Sequence, residues 1–131
     1  MKIEHAAFQV ADPVAVGRWY VEHLGLTVKR AQNVSPFGHF LADDGDAVML
    51  EFYNNPALSV PDYPAIPPLV LHLAFLAHDV AATRARLLAA GATAEGDVQR
   101  TESGDDVAML RDPWGLAIQF VRRLEPMIQP R

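Results

Sequence analysis

The amino-acid sequence predicts an α+β fold made of two βαβββ modules, whose curved mixed sheets surround one cup-shaped site with the helices outside. The main observation is an internal repeat, because His5-Ala-Ala-Phe near the start of the chain matches His72-Leu-Ala-Phe in its second half. Each copy continues with an aspartate seven residues after the histidine and a glycine that ends a helix-like stretch: Asp12 and Gly25 in the first, Asp79 and Gly91 in the second. Two copies are too few for a solenoid, so paired modules are the better interpretation.

The first module covers residues 1–54 and opens with a strand over Ile3–Val10. Asp12 then caps a helix with Pro13 in its first turn, where a missing N–H costs nothing. Gly25 suits the left-handed conformation that ends the helix. Three strands follow, with a turn rich in aspartate and glycine between the last two: Leu26–Ala31, Gly38–Ala42 and Ala47–Tyr53.

A proline-rich linker, residues 55–68, joins the two modules. Its five prolines disfavour a helix or a central strand and favour an extended path. The second module, residues 69–123, repeats the order of the first, with a strand over Leu69–Leu76 and a helix that Asp79 caps and Gly91 ends. Three more strands follow, at Ala94–Arg100, Val107–Arg111 and Leu116–Arg122.

Composition narrows the class of protein. At 131 residues, 50% of them hydrophobic and 21% charged, the chain is predicted to form a single globular domain with a peripheral tail at 124–131. A formal net charge of −5 without a basic cluster argues against a nucleic-acid partner. No apolar run has the length of a signal-peptide core or a membrane span, so a cytoplasmic location and no membrane partner are expected. Because the chain has no cysteine, any metal would take nitrogen and oxygen ligands.

Strand alternation places one polar side chain per strand among mostly smaller neighbours. His5 and His72 each share a face with an alanine two residues later, while bulky apolar residues point the other way. Glu51 and Gln119 have corresponding places in the last strand of each module. Small residues beside polar ones leave a cavity, and two imidazoles, a carboxylate and an amide suit a divalent ion. The structural alternative is that the histidines are packed and hydrogen-bonded, and that Glu51 and Gln119 are solvated.

Six segments, spread over about residues 3–123, follow the pattern of one protein family: His5-Ala-Ala-Phe-Gln-Val-Ala-Asp12, Trp19-Tyr-Val-Glu-His-Leu-Gly25, Leu50-Glu51-Phe52, His72-Leu-Ala-Phe75, Leu87-Leu-Ala-Ala-Gly91 and Arg111-Asp-Pro-Trp-Gly-Leu-Ala-Ile-Gln119. On these motifs the chain resembles the vicinal oxygen chelate superfamily, which includes glyoxalase I, methylmalonyl-CoA epimerase, extradiol dioxygenases and fosfomycin or bleomycin resistance proteins. The resemblance implies a glyoxalase-like fold and a divalent metal ion (Ni, Co, Zn, Mn or Fe), held by the first and last strands of each module. Its ligands here would be His5, Glu51, His72 and Gln119.

Gln119 departs from the family pattern, which usually has a glutamate at this place. An amide does not accept a proton near neutral pH, so Glu51 would be the catalytic base. The resemblance thus implies a metal-dependent lyase or isomerase that acts on a small substrate with vicinal oxygens through a metal-stabilised enolate. Two alternatives stay open: an iron-dependent ring-cleaving dioxygenase using His5, His72 and Glu51, and a metal-free protein that binds a small molecule or sequesters an antibiotic. A homodimer is expected, because pairing would cover exposed sheet edges.

Overall fold

The computed structural model describes residues 1–128, which form two compact units. The first unit runs from Met1 to Pro61 and the second begins at Asp62, so the boundary falls inside the predicted linker. Residues 129–131, the end of the predicted tail, lie outside the described residues. No helix in the described part of the chain is long and apolar enough to cross a membrane.

The first unit consists of one helix packed on a four-stranded sheet. Its elements in chain order are β1 (His5–Gln9), α1 (Pro13–Leu24), β2 (Thr27–Ala31), β3 (His39–Ala42) and β4 (Met49–Tyr53). The strand order is β1-β4-β3-β2, in which β1 runs parallel to β4 and the other pairs are antiparallel. The last strand, β4, starts at Met49, two residues later than predicted. The Asp43 N–H donates to the Val48 carbonyl, which keeps residues 44–47 in the turn before the strand.

Local chemistry sets both ends of α1. The Asp12 carboxylate accepts a hydrogen bond from the Ala15 N–H at 3.1 Å, and Pro13 occupies the first turn. At the other end Gly25 has a φ of 72°, and its N–H donates to the Tyr20 carbonyl. Both caps are those that the sequence predicts.

The helix covers one face of this sheet and leaves the other face open. Tyr20 and Phe52 are fully buried, and their ring centroids are 4.8 Å apart. Phe8 pairs with Phe52 across β1 and β4, so it shares the helix-covered face. Because side chains alternate along a strand, Glu51 and the His5 side chain belong to the opposite face.

The second unit has the same arrangement. After a short 3-10 turn at Tyr63–Ala65, its elements are β5 (Leu73–Leu76), α2 (Val80–Ala89), β6 (Thr93–Arg100), β7 (Asp106–Arg111) and β8 (Ala117–Arg122). The strand order is β5-β8-β7-β6, with β5 parallel to β8 and the other pairs antiparallel. Each unit therefore has the βαβββ order and a mixed sheet, which confirms the predicted α+β fold class.

The first strand of the second unit is shorter than predicted. The sequence predicts a strand over Leu69–Leu76, but the strand begins at Leu73 and the residues before it form a turn. Val70 N–H donates to the Pro67 carbonyl at 2.9 Å, which closes that turn. Proline has no N–H to offer a sheet, so the Pro-Pro pair favours the turn over an earlier start of the strand. His72 consequently lies one residue before β5.

Arg111 ties part of the proline-rich segment to the second unit. Its Nη1 donates to the carbonyls of Tyr63 and Gly115, at 3.1 Å and 2.9 Å. Its Nη2 donates to the Ile66 carbonyl at 3.0 Å, and its Nε lies 2.5 Å from a carboxylate oxygen of Glu95. The second half of the predicted linker is therefore held by side-chain hydrogen bonds.

Asp105 anchors the chain that follows β8. Its side chain is buried and accepts hydrogen bonds from the Leu124 N–H and from Arg123 Nη1, both at 2.8 Å. The Leu124 N–H, followed by the Arg123 guanidinium, holds the pKa of the Asp105 carboxyl below its usual value. The carboxyl is thus ionised in the folded chain at any pH near neutrality.

We predict that Asp105→Asn lowers the free energy of unfolding near neutral pH but not in strong acid. A carboxyl whose pKa is lower in the folded chain stabilises the fold above its unfolded pKa of about 3.9, and this contribution disappears as the pH falls through the lowered value. Urea unfolding from about pH 2 to about pH 7 should give wild-type and variant stabilities that converge in acid. Asp44→Asn, at an exposed turn position, is the matched control. Equal pH dependence in wild type and Asp105→Asn would contradict the prediction.

Candidate metal centre

His5 and Glu51 lie together on the open face of the first sheet. Ala7 pairs with Glu51 across β1 and β4, and His5 precedes Ala7 by two residues on the same face. The His5 Nε2 atom is 3.7 Å from Glu51 Oε1. Their side chains are 35% and 20% exposed, so both are accessible from solvent without being fully hydrated. The structure therefore brings one predicted imidazole ligand close to the predicted carboxylate ligand.

The tautomer of His5 follows from its second contact. Nδ1 lies 2.6 Å from a carboxylate oxygen of Glu4. An ionised carboxylate only accepts hydrogen bonds, so Nδ1 carries a proton, and in the neutral imidazole the lone pair is then on Nε2, the atom that faces Glu51. A carboxylate that holds one histidine nitrogen while the other binds metal is a common arrangement in metal sites. Sequence reasoning missed Glu4, although its place directly before the repeated histidine could have drawn attention to it.

Small and aromatic neighbours border the Glu51 carboxylate. Phe40 pairs with Glu51 across β3 and β4, and its ring stands edge-on to the His5 ring at 5.5 Å between centroids. A Cβ atom at Gly38 would lie 3.4 Å from Glu51 Oε2 and 3.0 Å from Gln32 Oε1. The glycine therefore leaves room beside the carboxylate that a side chain would take.

The second unit holds the other predicted pair in the same register. Ala74 pairs with Gln119 across β5 and β8, as Ala7 pairs with its partner in the first unit. His72 precedes Ala74 by two residues, and its Nδ1 lies 2.7 Å from the Pro68 carbonyl oxygen. A carbonyl can only accept, so Nδ1 donates, and in the neutral ring Nε2 again has the free lone pair. Both predicted imidazole ligands thus have the same nitrogen available.

The histidine that begins β3, His39, does not belong to this face. His39 pairs with Phe52, so its side chain lies on the helix-covered face. It packs closely on α1, because a Cβ atom at Gly17 would lie 3.2 Å from His39 Cδ2. Its Nδ1 donates to the Phe37 carbonyl at 2.6 Å. Packing against α1 is therefore the role of His39.

The predicted ligands come from both units, His5 and Glu51 from the first and His72 and Gln119 from the second. Within residues 1–128, no three or more histidine, aspartate and glutamate side chains come together in a group that could hold a metal ion. The first unit brings an imidazole nitrogen within 3.7 Å of a carboxylate oxygen, and in the second unit His72 precedes by two residues the alanine that pairs with Gln119. Two imidazole nitrogens, a carboxylate and an amide oxygen are ligands that suit divalent Ni, Co, Zn, Mn or Fe, so the chemistry of the residues fits such an ion.

Several solved structures have this fold. A glyoxalase/bleomycin resistance protein/dioxygenase family enzyme from Burkholderia phytofirmans PsJN superposes with a TM-score of 0.77 at 20% identity, over 95% of this chain and 100% of that one. TnmS3, an antibiotic binding protein from Streptomyces sp. CB03234, superposes with a TM-score of 0.72 at 23% identity, over 94% and 96%. A variant of glyoxalase I from Zea mays superposes with a TM-score of 0.74 at 20% identity, over 95% of this chain and 46% of that one. These likenesses show the fold.

Sequence comparison shows the family. No protein with a curated description matches the chain. The family profile described as Glyoxalase/Bleomycin resistance protein/Dioxygenase superfamily matches residues 2–120 and therefore spans both units. The predicted resemblance is confirmed, and the chain belongs to the glyoxalase/bleomycin resistance protein/dioxygenase superfamily.

Proposed function

We propose that this protein is a metal-dependent enzyme of the glyoxalase type, a lyase or isomerase that acts on a small substrate with vicinal oxygens. His5, Glu51, His72 and Gln119 would bind one divalent ion. The observation that carries the proposal is the shared tautomer of the two histidines, each with Nδ1 held by an acceptor and Nε2 left free. When bound, the ion would act as a Lewis acid that stabilises negative charge developing on the substrate oxygens.

The residues of the chain divide the remaining work. The Glu51 carboxylate would accept a proton from the substrate, because it is the one side chain of the proposed set that can ionise as an acid. Phe40 and Gly38 border this carboxylate and shape the space beside it. Glu4 would keep His5 in the tautomer with a free Nε2. Gln119 would supply a neutral oxygen ligand and no proton transfer.

Metal content tests this proposal directly. The wild-type chain should retain about one equivalent of at least one of Ni, Co, Zn, Mn and Fe after loading and dialysis, measured by elemental analysis. His5→Ala and His72→Ala should each lose it, because either change removes an imidazole nitrogen from a four-ligand set. His78→Ala, at an exposed position just after β5, is the matched control and should retain the ion.

The contrary result favours a second candidate function. If the wild type holds no stoichiometric metal, or if the two alanine variants hold as much as the wild type, the metal-dependent proposal fails. Sequestration of a small molecule would then be the better explanation. It is supported by a cavity of about 440 Å³ on the first unit and by a fold shared with an antibiotic binding protein. A dioxygenase activity, a homodimer and a cytoplasmic location stay predictions from the sequence.

A further inference from the structure

We propose that Arg30 and Phe40 form a subsite for the carboxylate of a small organic acid that also carries an apolar group. The subsite adjoins the His5–Glu51 pair on the open face of the first sheet. As a statement about the substrate class, this inference rests on the proposed function. As a statement about binding, it can be tested without any metal.

A cavity of suitable size lies at this place. Its volume is about 440 Å³, which is within the range of small-molecule sites, about 300–1,000 Å³. Apolar side chains form much of its lining, among them Phe40, Ala42, Val48 and Met49. It adjoins the candidate metal centre, because Glu4 and Phe40 line the cavity and both contact His5.

An irregularity in β2 brings an arginine to this face. The pairing of β2 with β3 shifts between Val28 and Arg30, so that Arg30 takes the place opposite Phe40 that regular pairing would give to Lys29. Phe40 in turn pairs with Glu51. The guanidinium and the carboxylate thus belong to one row across the sheet, with the Phe40 ring between them.

The guanidinium of Arg30 is the cation left available in this cavity. Lys29 Nζ is 2.5 Å from Asp46 Oδ1, so those two charges offset each other. Glu4 is engaged with His5. The Arg30 guanidinium has no ion pair within the part of the chain that the structure describes, and it lies over the Phe40 ring at 5.7 Å from the centroid.

A cation–π contact of this kind positions arginine for a carboxylate. The ring holds the planar guanidinium and reduces its freedom, while the N–H groups at its edge stay able to form two parallel hydrogen bonds. Those bonds match the two oxygens of a carboxylate. The apolar lining of the cavity would take the remainder of such an acid.

Binding of phenylacetate tests the subsite. We expect phenylacetate to bind the 131-residue chain after treatment with a chelator, and to shift the backbone amide signals of Phe40, Ala42 and Met49 in NMR titrations. Arg30→Gln should weaken binding about tenfold or more, because the charge-assisted pair of hydrogen bonds is lost. Arg18→Gln makes the same change of charge at an exposed position of α1 and should bind as the wild type does. Phenylacetamide, which has a similar shape without the charge, should bind the wild type about tenfold more weakly or worse.

The inference would be overturned by no binding of phenylacetate to the wild type, by equal binding to Arg30→Gln, or by equal binding of the amide. Shifts confined to residues outside the cavity would do the same. Phenylacetate has no second oxygen donor beside its carboxylate, and the titration contains no metal. Loss of this binding and loss of metal binding in the histidine variants are therefore separate outcomes, so either proposal can fail alone.

Discussion

Replacing Glu51 by glutamine is expected to lower proton-transfer activity by about 100-fold or more, the usual contribution of a positioned base. The amide keeps the size of the side chain and an oxygen that can bind metal, but it cannot take up a proton. Gln119, at the corresponding place in the second unit, is also an amide and cannot compensate. Metal content should therefore fall less than activity does.

Exchange of hydrogen for deuterium provides the measurement. A panel of α-hydroxy ketones and α-keto acids, each with an acidic C–H beside vicinal oxygens, is incubated with the metal-loaded chain in D2O and followed by proton NMR. Glu22→Gln, a change of the same kind at an exposed position of α1, is the matched control and should exchange at the wild-type rate. Metal is measured in the same samples, so that loss of the base is separated from loss of the ion.

An exchange rate that Glu51→Gln leaves unchanged would show that the base is another residue. The structure narrows the choice, because His39 packs against α1 on the other face of the sheet. Tyr53 follows Glu51 by two residues in β4 and shares its face, so it would be the next side chain to replace.

Gly115→Ala is expected to destabilise the second unit by about 2–5 kcal/mol, the sum of a left-handed backbone cost and a packing cost. Gly115 has a φ of 95°, where side chains other than hydrogen are strained. A Cβ atom there would lie 2.3 Å from Pro64 Cγ and 2.9 Å from the Pro64 backbone nitrogen, so the proline-rich segment would have to move. The turn cannot yield easily, because Asp112 Oδ1 accepts hydrogen bonds from the N–H groups of Trp114 and Leu116.

A second glycine separates the two costs. Gly96 also has a positive φ, 80°, but a Cβ atom there would meet nothing within 4 Å. Urea unfolding should therefore show a loss of about 1–2 kcal/mol for Gly96→Ala and a clearly larger loss for Gly115→Ala. In the double variant Gly115→Ala/Pro64→Ala, the loss of stability should be smaller than in Gly115→Ala alone, because the Cγ atom that meets the new Cβ is removed. Equal losses at the two glycines would mean that contact with Pro64 carries no cost.

The sequence by itself was enough to predict the fold class and the ends of the first helix. Asp12 and Gly25 act through bonds to residues within a turn or two, so their roles can be inferred without any tertiary contact. The repeated histidine and the alternation of strands likewise placed His5 and Glu51 on one face, where the structure brings them 3.7 Å apart. Periodicity is a local property of the chain, which is why these predictions succeed.

Only the tertiary structure decided the features that depend on partners distant in sequence. The irregularity in β2 puts Arg30 rather than Lys29 opposite Phe40, and no pattern of alternation predicts it, because it arises in the pairing with β3. The late start of β5, at Leu73 instead of Leu69, follows from a turn at the prolines, and the carbonyl of Pro68 sets the tautomer of His72. Hydrogen-bond partners and strand register are fixed only when segments pack together. The nitrogen that each histidine leaves free, and the position of Arg30 opposite Phe40, could therefore be read only from the folded chain.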